Sequence, residues 1–508
     1  MRIRRAAAVP AGDVEWGTPA GRWMLGATVL GSGMAFLDST VVNVALPEIG
    51  RELGTGVAGL QWIANGYMVT LSSLILLSGS LSDRFGRARM FSLGVVWFAL
   101  ASALCTAAPD ITWLIAGRVL QGVGGALLTP GSLAILQASF CERDRARAIG
   151  AWSGLTGVAA AVGPFVGGYL VDTGSWRLIF LINLPLAVIV LLITWRHVPE
   201  SRDEQAPRRM DYAGAVLGMV GLAGVTFALI ESGSTSGAPV WSVAASGAVG
   251  AAAMIGFVVV ELRSSRPMLP LDIFRSTRFS VTNLVTIALY GALGPLLFLL
   301  VIYLQEGLGY SAILAGAASL PITILMLLLS SRSGKLGVRL GPRPQLTVGP
   351  LLVAAGLVLL SLLQPGMSYL TGVFPGVLLV GLGLATAVAP LTATVLASAP
   401  ERHAGLASGV NNTLARAAQL IGVAAVPVAA GVAGPAGIKG GFGPAMLILA
   451  GLAVLAGLAA LAFLRKDTGR PAAPPGGAEP GPMFCGVADP PLRSCPGSTA
   501  GRPPPGSG

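Results

Sequence analysis

The chain has 508 residues, of which 54% are hydrophobic and only 11% charged, and its mean hydropathy is +0.76. Soluble domains carry about 25% charged residues, so this composition excludes an ordinary soluble protein and indicates that lipid covers most of the surface. The net charge of +11 does not indicate nucleic acid as a partner, because the 33 Lys and Arg residues are scattered singly or in short groups between apolar runs.

Apolar runs long enough to cross a bilayer recur along the chain. They lie near 23–46, 58–80, 90–108, 111–134, 148–171, 178–196, 212–232, 241–261, 280–303, 313–331, 346–364, 371–396, 405–431 and 442–464. Lipid offers the backbone no hydrogen-bond partner, so runs of this length predict helices. The first run is longer than the core of a signal peptide, which is about 7 to 15 residues, so we interpret it as a retained helix. The sequence therefore predicts an all-α polytopic membrane protein of fourteen spans.

Basic residues are concentrated in every second connection between these runs. The basic set holds Arg84, Arg87, Arg89, Arg143, Arg145, Arg147, Arg196, Arg202, Arg208, Arg209, Arg263, Arg266, Arg275, Arg278, Arg332, Lys335, Arg339 and Arg343. The opposite set holds mainly Arg51, Arg177 and Lys439. The positive-inside rule therefore predicts that the basic connections and both termini lie in the cytoplasm of a protein of the cell membrane.

An internal repeat divides the chain into two halves. The segment Gly79 to Gly86 returns as Gly334 to Gly341, about 255 positions later, and the pair Gly122 and Gly124 returns as Gly381 and Gly383. Parallel halves around a central cleft are a recurrent plan of transporters. We predict a cytoplasmic N-terminus over 1–22, six-helix halves over 23–197 and 279–464, a linker with two inserted helices over 198–278, and a disordered cytoplasmic tail over 465–508, which is rich in Pro, Gly and Ser.

The first span contains an acid, Asp38, within the segment Leu37 to Pro47. A carboxylate inside a membrane is costly, so it should face the bundle interior and have a partner. Asp38 lies about 12 Å from the outer end of its helix, and Arg118 lies about 10 Å from the outer end of the fourth span, so the two should meet. Arginine stabilises the ionised carboxylate; when substrate or a conformational change separates the pair, the carboxylate takes up a proton, which is the minimum machinery of proton coupling. The alternatives are a neutral acid that only joins two helices and an arginine that only binds backbone carbonyls.

Two further segments contain motifs. The connection after the second span holds Gly79, Asp83, Arg84, Gly86 and Arg87, in which Asp83 would meet a helix N-terminus in only one access state; a simple anchor of arginines is the alternative. The fifth span carries small residues at alternating spacings of four and three, which predicts one face of close helix approach. This stripe comprises Gly150, Gly154, Gly157, Ala161, Pro164 and Gly168, with Gly163 and Gly167 beside the proline. Ordinary helix packing would also explain the stripe.

Together these segments resemble the major facilitator superfamily, specifically its fourteen-helix drug:proton antiporter branch, over essentially all fourteen spans. The matching segments are Leu37 to Pro47, Gly79 to Arg89, the set Leu114, Arg118, Gln121, Gly122 and Gly124, the set Gly163, Pro164, Gly167 and Gly168, and Trp176 to Pro185. The resemblance implies that Asp38 and Arg118 take part in proton coupling, that Asp83 steadies the outward-facing state, and that the fifth span favours export. One departure is that the spans of the second half in which some members carry acids hold only Asn411, Asn412, Arg416 and Gln419 as polar residues of note, which disfavours an exporter of multivalent cations.

We therefore expect a proton-coupled efflux transporter of a drug-like small molecule or secondary metabolite, monomeric, with no cofactor or metal and the proton gradient as its energy source. An importer or facilitator on the same fold is the alternative, and a non-transporting sensor or scaffold is a remote one. An enzyme is not expected, because no nucleophile–base pair or metal-ligand spacing occurs. Candidates for the substrate cleft are Asn43, Trp62, Tyr67 and Gln121.

Overall fold

The computed structural model describes residues 14–202, 211–234, 238–264, 269, 271–398, 404–432 and 435–464. The predicted tail over 465–508 and most of the predicted N-terminal segment lie outside these residues. The regular structure of the described ranges is helical, apart from one isolated β-bridge between Val14 and Phe140. The prediction of an all-α fold is confirmed.

The described residues form sixteen α-helices, numbered in chain order. They are α1 (Pro19–Glu52), α2 (Val57–Phe85), α3 (Arg87–Thr106), α4 (Ile111–Ser139), α5 (Glu142–Thr173), α6 (Leu178–Leu181), α7 (Asn183–His197), α8 (Tyr212–Ser232), α9 (Val240–Arg263), α10 (Thr277–Ile302), α11 (Ala312–Ala318), α12 (Leu320–Leu340), α13 (Pro342–Ser361), α14 (Phe374–Ala397), α15 (Ala404–Ala429) and α16 (Pro435–Phe463). Helices α6 and α7 together make one span, as do α11 and α12. Each of the fourteen predicted runs overlaps one of the resulting segments.

Twelve of the described helices are long and apolar enough to cross a membrane, and counting the bent pair Val57–Ile75 and Leu77–Phe85 as one span raises the number to 13. Helix α15 is not among them over its described residues, because polar side chains such as Asn411, Asn412 and Arg416 lower its hydropathy. Helix α9 exposes large apolar side chains, including Trp241 at 73%. Such exposure is what a lipid-facing helix requires.

The internal repeat is visible in the packing of the helices. Helix α4 packs against α2 and α3, and α14 packs in the same way against α12 and α13. A Cβ on Gly124 would lie 2.8 Å from the backbone nitrogen of Phe98, and a Cβ on Gly383 would lie 2.5 Å from the carbonyl oxygen of Gly349. The short turns after α2 and α12 also correspond, because Gly86 has φ of +107° and Gly341 has φ of +76°, a backbone conformation that favours glycine.

The two helices between the halves pack on one another, and α8 also packs on both halves. Close approach of α8 and α9 depends on glycine, since a Cβ on Gly250 would lie 2.6 Å from the backbone nitrogen of Val225. Helix α8 also contacts α2 and α15, where Leu222 is buried in one cluster with Val69 and Leu420. Helix α8 therefore lies alongside both halves, and α9 packs on it.

The two halves meet at one end of the bundle, which we call the closed end; it holds the connections α1–α2, α5–α6 and α10–α11. A Cβ on Gly168 of α5 would lie 2.4 Å from the Cα of Ile313, and a Cβ on Gly316 would lie 2.3 Å from the carbonyl oxygen of Pro164. The Asp172 carboxylate accepts hydrogen bonds from the backbone nitrogens of Ala312 and Ile313, at 3.0 and 2.9 Å. These contacts join α5 to the start of α11.

The opposite end, which we call the open end, holds the basic connections α2–α3, α4–α5 and α12–α13. Here the expectation of close approach along the whole stripe of α5 is wrong: a Cβ on Gly150, Gly154 or Gly157 would meet nothing within 4 Å. The stripe lies on one helical face, but among the described residues the second half meets its Pro164 and Gly168 end and not its Gly150 end, so the described parts of the halves diverge toward the open end.

Candidate functional site

Asp38 and Arg118 are in direct contact in the interior of the first half. They are 0% and 1% exposed, and the Arg118 Nη1 donates to Asp38 Oδ2 at 2.5 Å. Equal depth on α1 and α4 predicts this contact, and the structure contains it. Taking two charges out of water costs more than their attraction usually returns, so a buried pair of this kind is weak evidence for a purely stabilising role.

The second oxygen of the Asp38 carboxylate has two amide donors. The Gln121 Nε2 donates to Asp38 Oδ1 at 2.7 Å, and the Asn183 Nδ2 donates to the same oxygen at 3.1 Å. Both amides also donate to the hydroxyl of Ser102, at 2.9 and 3.3 Å. Helices α1, α3, α4 and α7 therefore converge on one carboxylate.

Ser102 and Asn183 are members of this cluster that sequence reasoning missed. A signal for Asn183 exists, because it is an amide in an otherwise apolar span and belongs to the segment Trp176 to Pro185. Ser102 has no comparable signal, because single serines are ordinary in membrane helices and this one also donates to the Phe98 carbonyl within its own helix.

Arg118 is held by groups other than the carboxylate as well. Its Nε donates to the Ile63 carbonyl at 3.1 Å, its Nη1 donates to Gln121 Oε1 at 2.6 Å, and its guanidinium carbon lies 4.5 Å from the centre of the Tyr67 ring. The last distance is that of a cation–π contact. Arg118 also lines a cavity that Asp38 does not line, so the arginine separates the carboxylate from that space.

This central cavity has a volume of about 420 Å³ and lies between the two halves. Asn43, Asn65 and Tyr67 line it from the first half, and Tyr290, Arg416 and Gln419 line it from the second. Apolar side chains complete the wall, among them Phe36, Met68, Leu293, Leu297, Phe298 and Met326. A volume of this size accommodates a drug-sized ligand.

Two of the four cleft candidates, Asn43 and Tyr67, line the cavity, and the other two do not. The Trp62 Nε1 donates to Glu231 of α8 at 3.2 Å, and its ring packs against Phe227, so Trp62 faces the inserted pair. Gln121 is 0% exposed and belongs to the cluster around Asp38. Placing Trp62 and Gln121 in the cleft is therefore wrong for this conformation, because their helical faces point elsewhere.

The connection after α2 does not make, in this conformation, the contact that is expected of it in one access state. Asp83 meets no helix N-terminus of the second half in the described residues; its Oδ1 accepts from Arg87 Nη2 at 2.8 Å, one turn along. The acid at the N-terminus of α3 is Glu200, which accepts from the backbone nitrogens of Ala88 and Arg89, both at 3.1 Å. Arg84 stacks on the Phe85 ring, Gly86 forms the turn, and a Cβ on Gly79 would meet nothing within 4 Å. The segment is present, but it does not join the halves in this conformation.

A helical membrane protein with two repeated halves, a cavity between them and a buried ion pair beside that cavity has the architecture of a secondary transporter. The model of the Major Facilitator Superfamily matches residues 28–423, and the chain belongs to this family. It is therefore a multi-pass membrane transporter with small-molecule substrates and not an enzyme.

Several characterised relatives are similar over most of the chain. The multidrug resistance protein Stp of Mycobacterium tuberculosis is 35% identical over 401 residues, which cover 78% of this chain and 74% of the relative. The tetracenomycin C resistance and export protein of Streptomyces glaucescens is 35% identical over 410 residues, which cover 79% and 74%. Among solved structures, the peptide transporter POT in complex with sulfate has a TM-score of 0.67 at 17% identity, covering 90% of this chain and 96% of that one. The likeness to POT is one of fold.

Proposed function

We propose that this transporter is a proton-coupled antiporter, a monomer that exports drug-like small molecules or secondary metabolites across the cytoplasmic membrane. The relatives support export of such compounds, since their names describe multidrug resistance and tetracenomycin C resistance and export. The observation that carries the proton-coupled part is the contact between Asp38 and Arg118 at the edge of the central cavity.

The orientation follows from charge. The open end carries the basic connections of α2–α3, α4–α5 and α12–α13, so the positive-inside rule assigns it, with both termini, to the cytoplasm. The cavity then faces the compartment from which an exporter loads. The Asp83 segment would engage the second half only after the open end closes, which agrees with the role that its motif implies in the outward-facing state.

The cycle has four steps. In the cytoplasm-facing state Asp38 is paired with Arg118, and substrate binds in the cavity lined by Arg118. The halves then rock, the closed end opens, and substrate leaves. Movement of Arg118 exposes the Asp38 carboxylate, which takes up a proton from outside. The return to the cytoplasm-facing state restores the pair and releases the proton inside. Each proton that moves down the gradient supplies about 1.4 kcal/mol per pH unit of difference.

The test uses the full chain reconstituted in liposomes with a pH-sensitive dye inside and a panel of lipophilic antibiotics. Antiport predicts proton movement that starts on addition of substrate, runs opposite to the substrate and stops when an ionophore collapses the gradient. Substrate movement that is indifferent to the gradient would show a facilitator, and co-directional movement of substrate and protons would show an importer.

A further inference from the structure

Arg416 is a charged residue of the central cavity that the coupling mechanism does not use. It lies on α15 and lines the cavity. The described residues offer its guanidinium neither an ion pair nor a hydrogen bond, and its guanidinium carbon lies 6.0 Å from the centre of the Phe36 ring. An arginine so deep in a membrane helix calls for a compensating partner.

The two arginines of the cavity differ in whether a negatively charged side chain lies beside them. Arg118 is neutralised by Asp38, which lies behind it, whereas Arg416 faces the same space alone. No Asp or Glu is among the described residues that line the cavity. The cavity therefore carries one positive charge without a negative partner. Its surroundings have a low dielectric constant, so a negatively charged group would be attracted to it far more strongly than in water.

A second polar group of the wall also lacks a partner. Asn65 of α2 lines the cavity and is 1% exposed, and its amide nitrogen has no hydrogen-bond partner in the described part of the chain. Buried donors without partners are rare, because each costs the free energy of its lost hydration. A donor on the first half and a cation on the second both suit an acceptor that carries negative charge.

We propose that the substrates are amphipathic organic anions, aromatic carboxylic acids in their ionised form, whose carboxylate binds Arg416 and whose ring system contacts the apolar wall. This inference rests on the proposed function only in taking the central cavity as the transport site. Binding to Arg416 is charge-assisted, which is the strong class of hydrogen bond, and guanidinium matches carboxylate in a two-point contact.

The experiment compares three probes that share one ring system: anthracene-9-carboxylate, its neutral amide, and the cation 9-(aminomethyl)anthracene. Binding to the full chain in nanodiscs is measured by equilibrium dialysis against empty nanodiscs, and transport is measured in liposomes. The variants are Arg416→Gln, Arg416→Lys, and the control Arg263→Gln, which makes the same change in charge at the exposed end of α9.

We expect the wild type to bind the carboxylate at least about tenfold more tightly than the amide or the cation, the usual scale of one charge-assisted hydrogen bond. Arg416→Gln should abolish this preference and leave amide binding unchanged, Arg416→Lys should keep part of it, and Arg263→Gln should keep all of it. Preference for the cation, no binding of the carboxylate, or an equal loss of carboxylate and amide binding in Arg416→Gln would overturn the inference. Carboxylate binding that depends on Arg416 without proton-coupled transport would support the inference and contradict the proposed function.

Discussion

Gly168 and Gly154 lie on the same face of α5, yet a Cβ on Gly168 would lie 2.4 Å from the Cα of Ile313, whereas a Cβ on Gly154 would meet nothing within 4 Å. One stripe of small residues is thus in contact with the second half at the closed end and free of it at the open end. If the open end closes in the other access state, the second half would contact the stripe at Gly154. Small residues would then be needed at the Gly168 end in this conformation and at the Gly154 end in the other.

The two glycines should respond differently to the same substitution. Gly168→Val places side-chain atoms where the α11 backbone lies, so we expect it to disfavour the closed end by about 1 to 3 kcal/mol, which shifts the ratio of the two states roughly 5- to 150-fold. Gly154→Val should not disfavour this state. The distance between spin labels at Thr173 and Gln364, measured by electron paramagnetic resonance, reports whether the closed end is closed. An unchanged distance distribution in Gly168→Val would contradict the contact.

Asp172 should hold the closed end together through the start of α11. Its carboxylate accepts two backbone N–H bonds across the halves, and loss of a capping carboxylate costs about 1 kcal/mol. Asp172→Asn should therefore lower the closed-end population about fivefold in the same distance measurement. Asp110→Asn is the matched control, because Asp110 caps α4 by accepting from the Trp113 nitrogen at 3.0 Å within the first half. A shift of equal size in both variants would rule out a latch between the halves.

Asp83 is expected to act in the state that this structure does not represent. It pairs here with Arg87 on its own side of the open end, so Asp83→Asn should leave the present conformation intact. If the acid meets a helix N-terminus when the open end closes, the substitution should lower the outward-facing population about fivefold, the equivalent of about 1 kcal/mol. Spin labels at Arg143 and Arg339 measure that population. An unchanged or larger outward-facing population would show that Asp83 does not stabilise that state.

Gln121 should matter for coupling beyond its contribution to stability. Gln121→Leu removes one of the two amide donors of Asp38 Oδ1, and Gln345→Leu removes a buried amide that donates to the Ser333 carbonyl at 2.9 Å. Each change should cost about 1 to 3 kcal/mol of stability. Only Gln121→Leu should lower the ratio of protons to substrate moved in liposomes. Equal effects on that ratio would reduce Gln121 to a structural residue.

The sequence predicts the helices well because length and hydropathy decide them, and it predicts the contact of Asp38 with Arg118 because helical rise fixes depth. Helical rise does not fix rotation about the axis. Trp62 shows the consequence: its depth suits the cleft, but its ring faces Phe227 of α8. Asn183 shows the opposite outcome. The orientation of its side chain about the axis of α7 could not be predicted, and it brings the amide into the Asp38 cluster.

Conformation is the second property that the sequence leaves undetermined. The spacing of the small residues is the same along the whole stripe of α5, so it does not predict that Gly168 is in contact while a Cβ on Gly150, Gly154 or Gly157 would meet nothing within 4 Å. The isolation of Arg416 is likewise a property of the folded cavity, because it depends on which side chains of α1, α2 and α10 reach it. A sequence that places Arg416 among amides on α15 does not exclude an acidic partner from another helix.

Proton coupling at Asp38 is tested most directly by the variant Asp38→Asn, measured in liposomes under two conditions. The asparagine side chain has the size of the aspartate side chain, but it is uncharged and cannot take up or release a proton. With a pH gradient imposed, we expect that the variant no longer accumulates substrate against its concentration gradient; without a pH gradient, exchange of substrate for substrate should persist. Uphill transport at the wild-type rate in Asp38→Asn would contradict the assignment of proton coupling to this carboxylate.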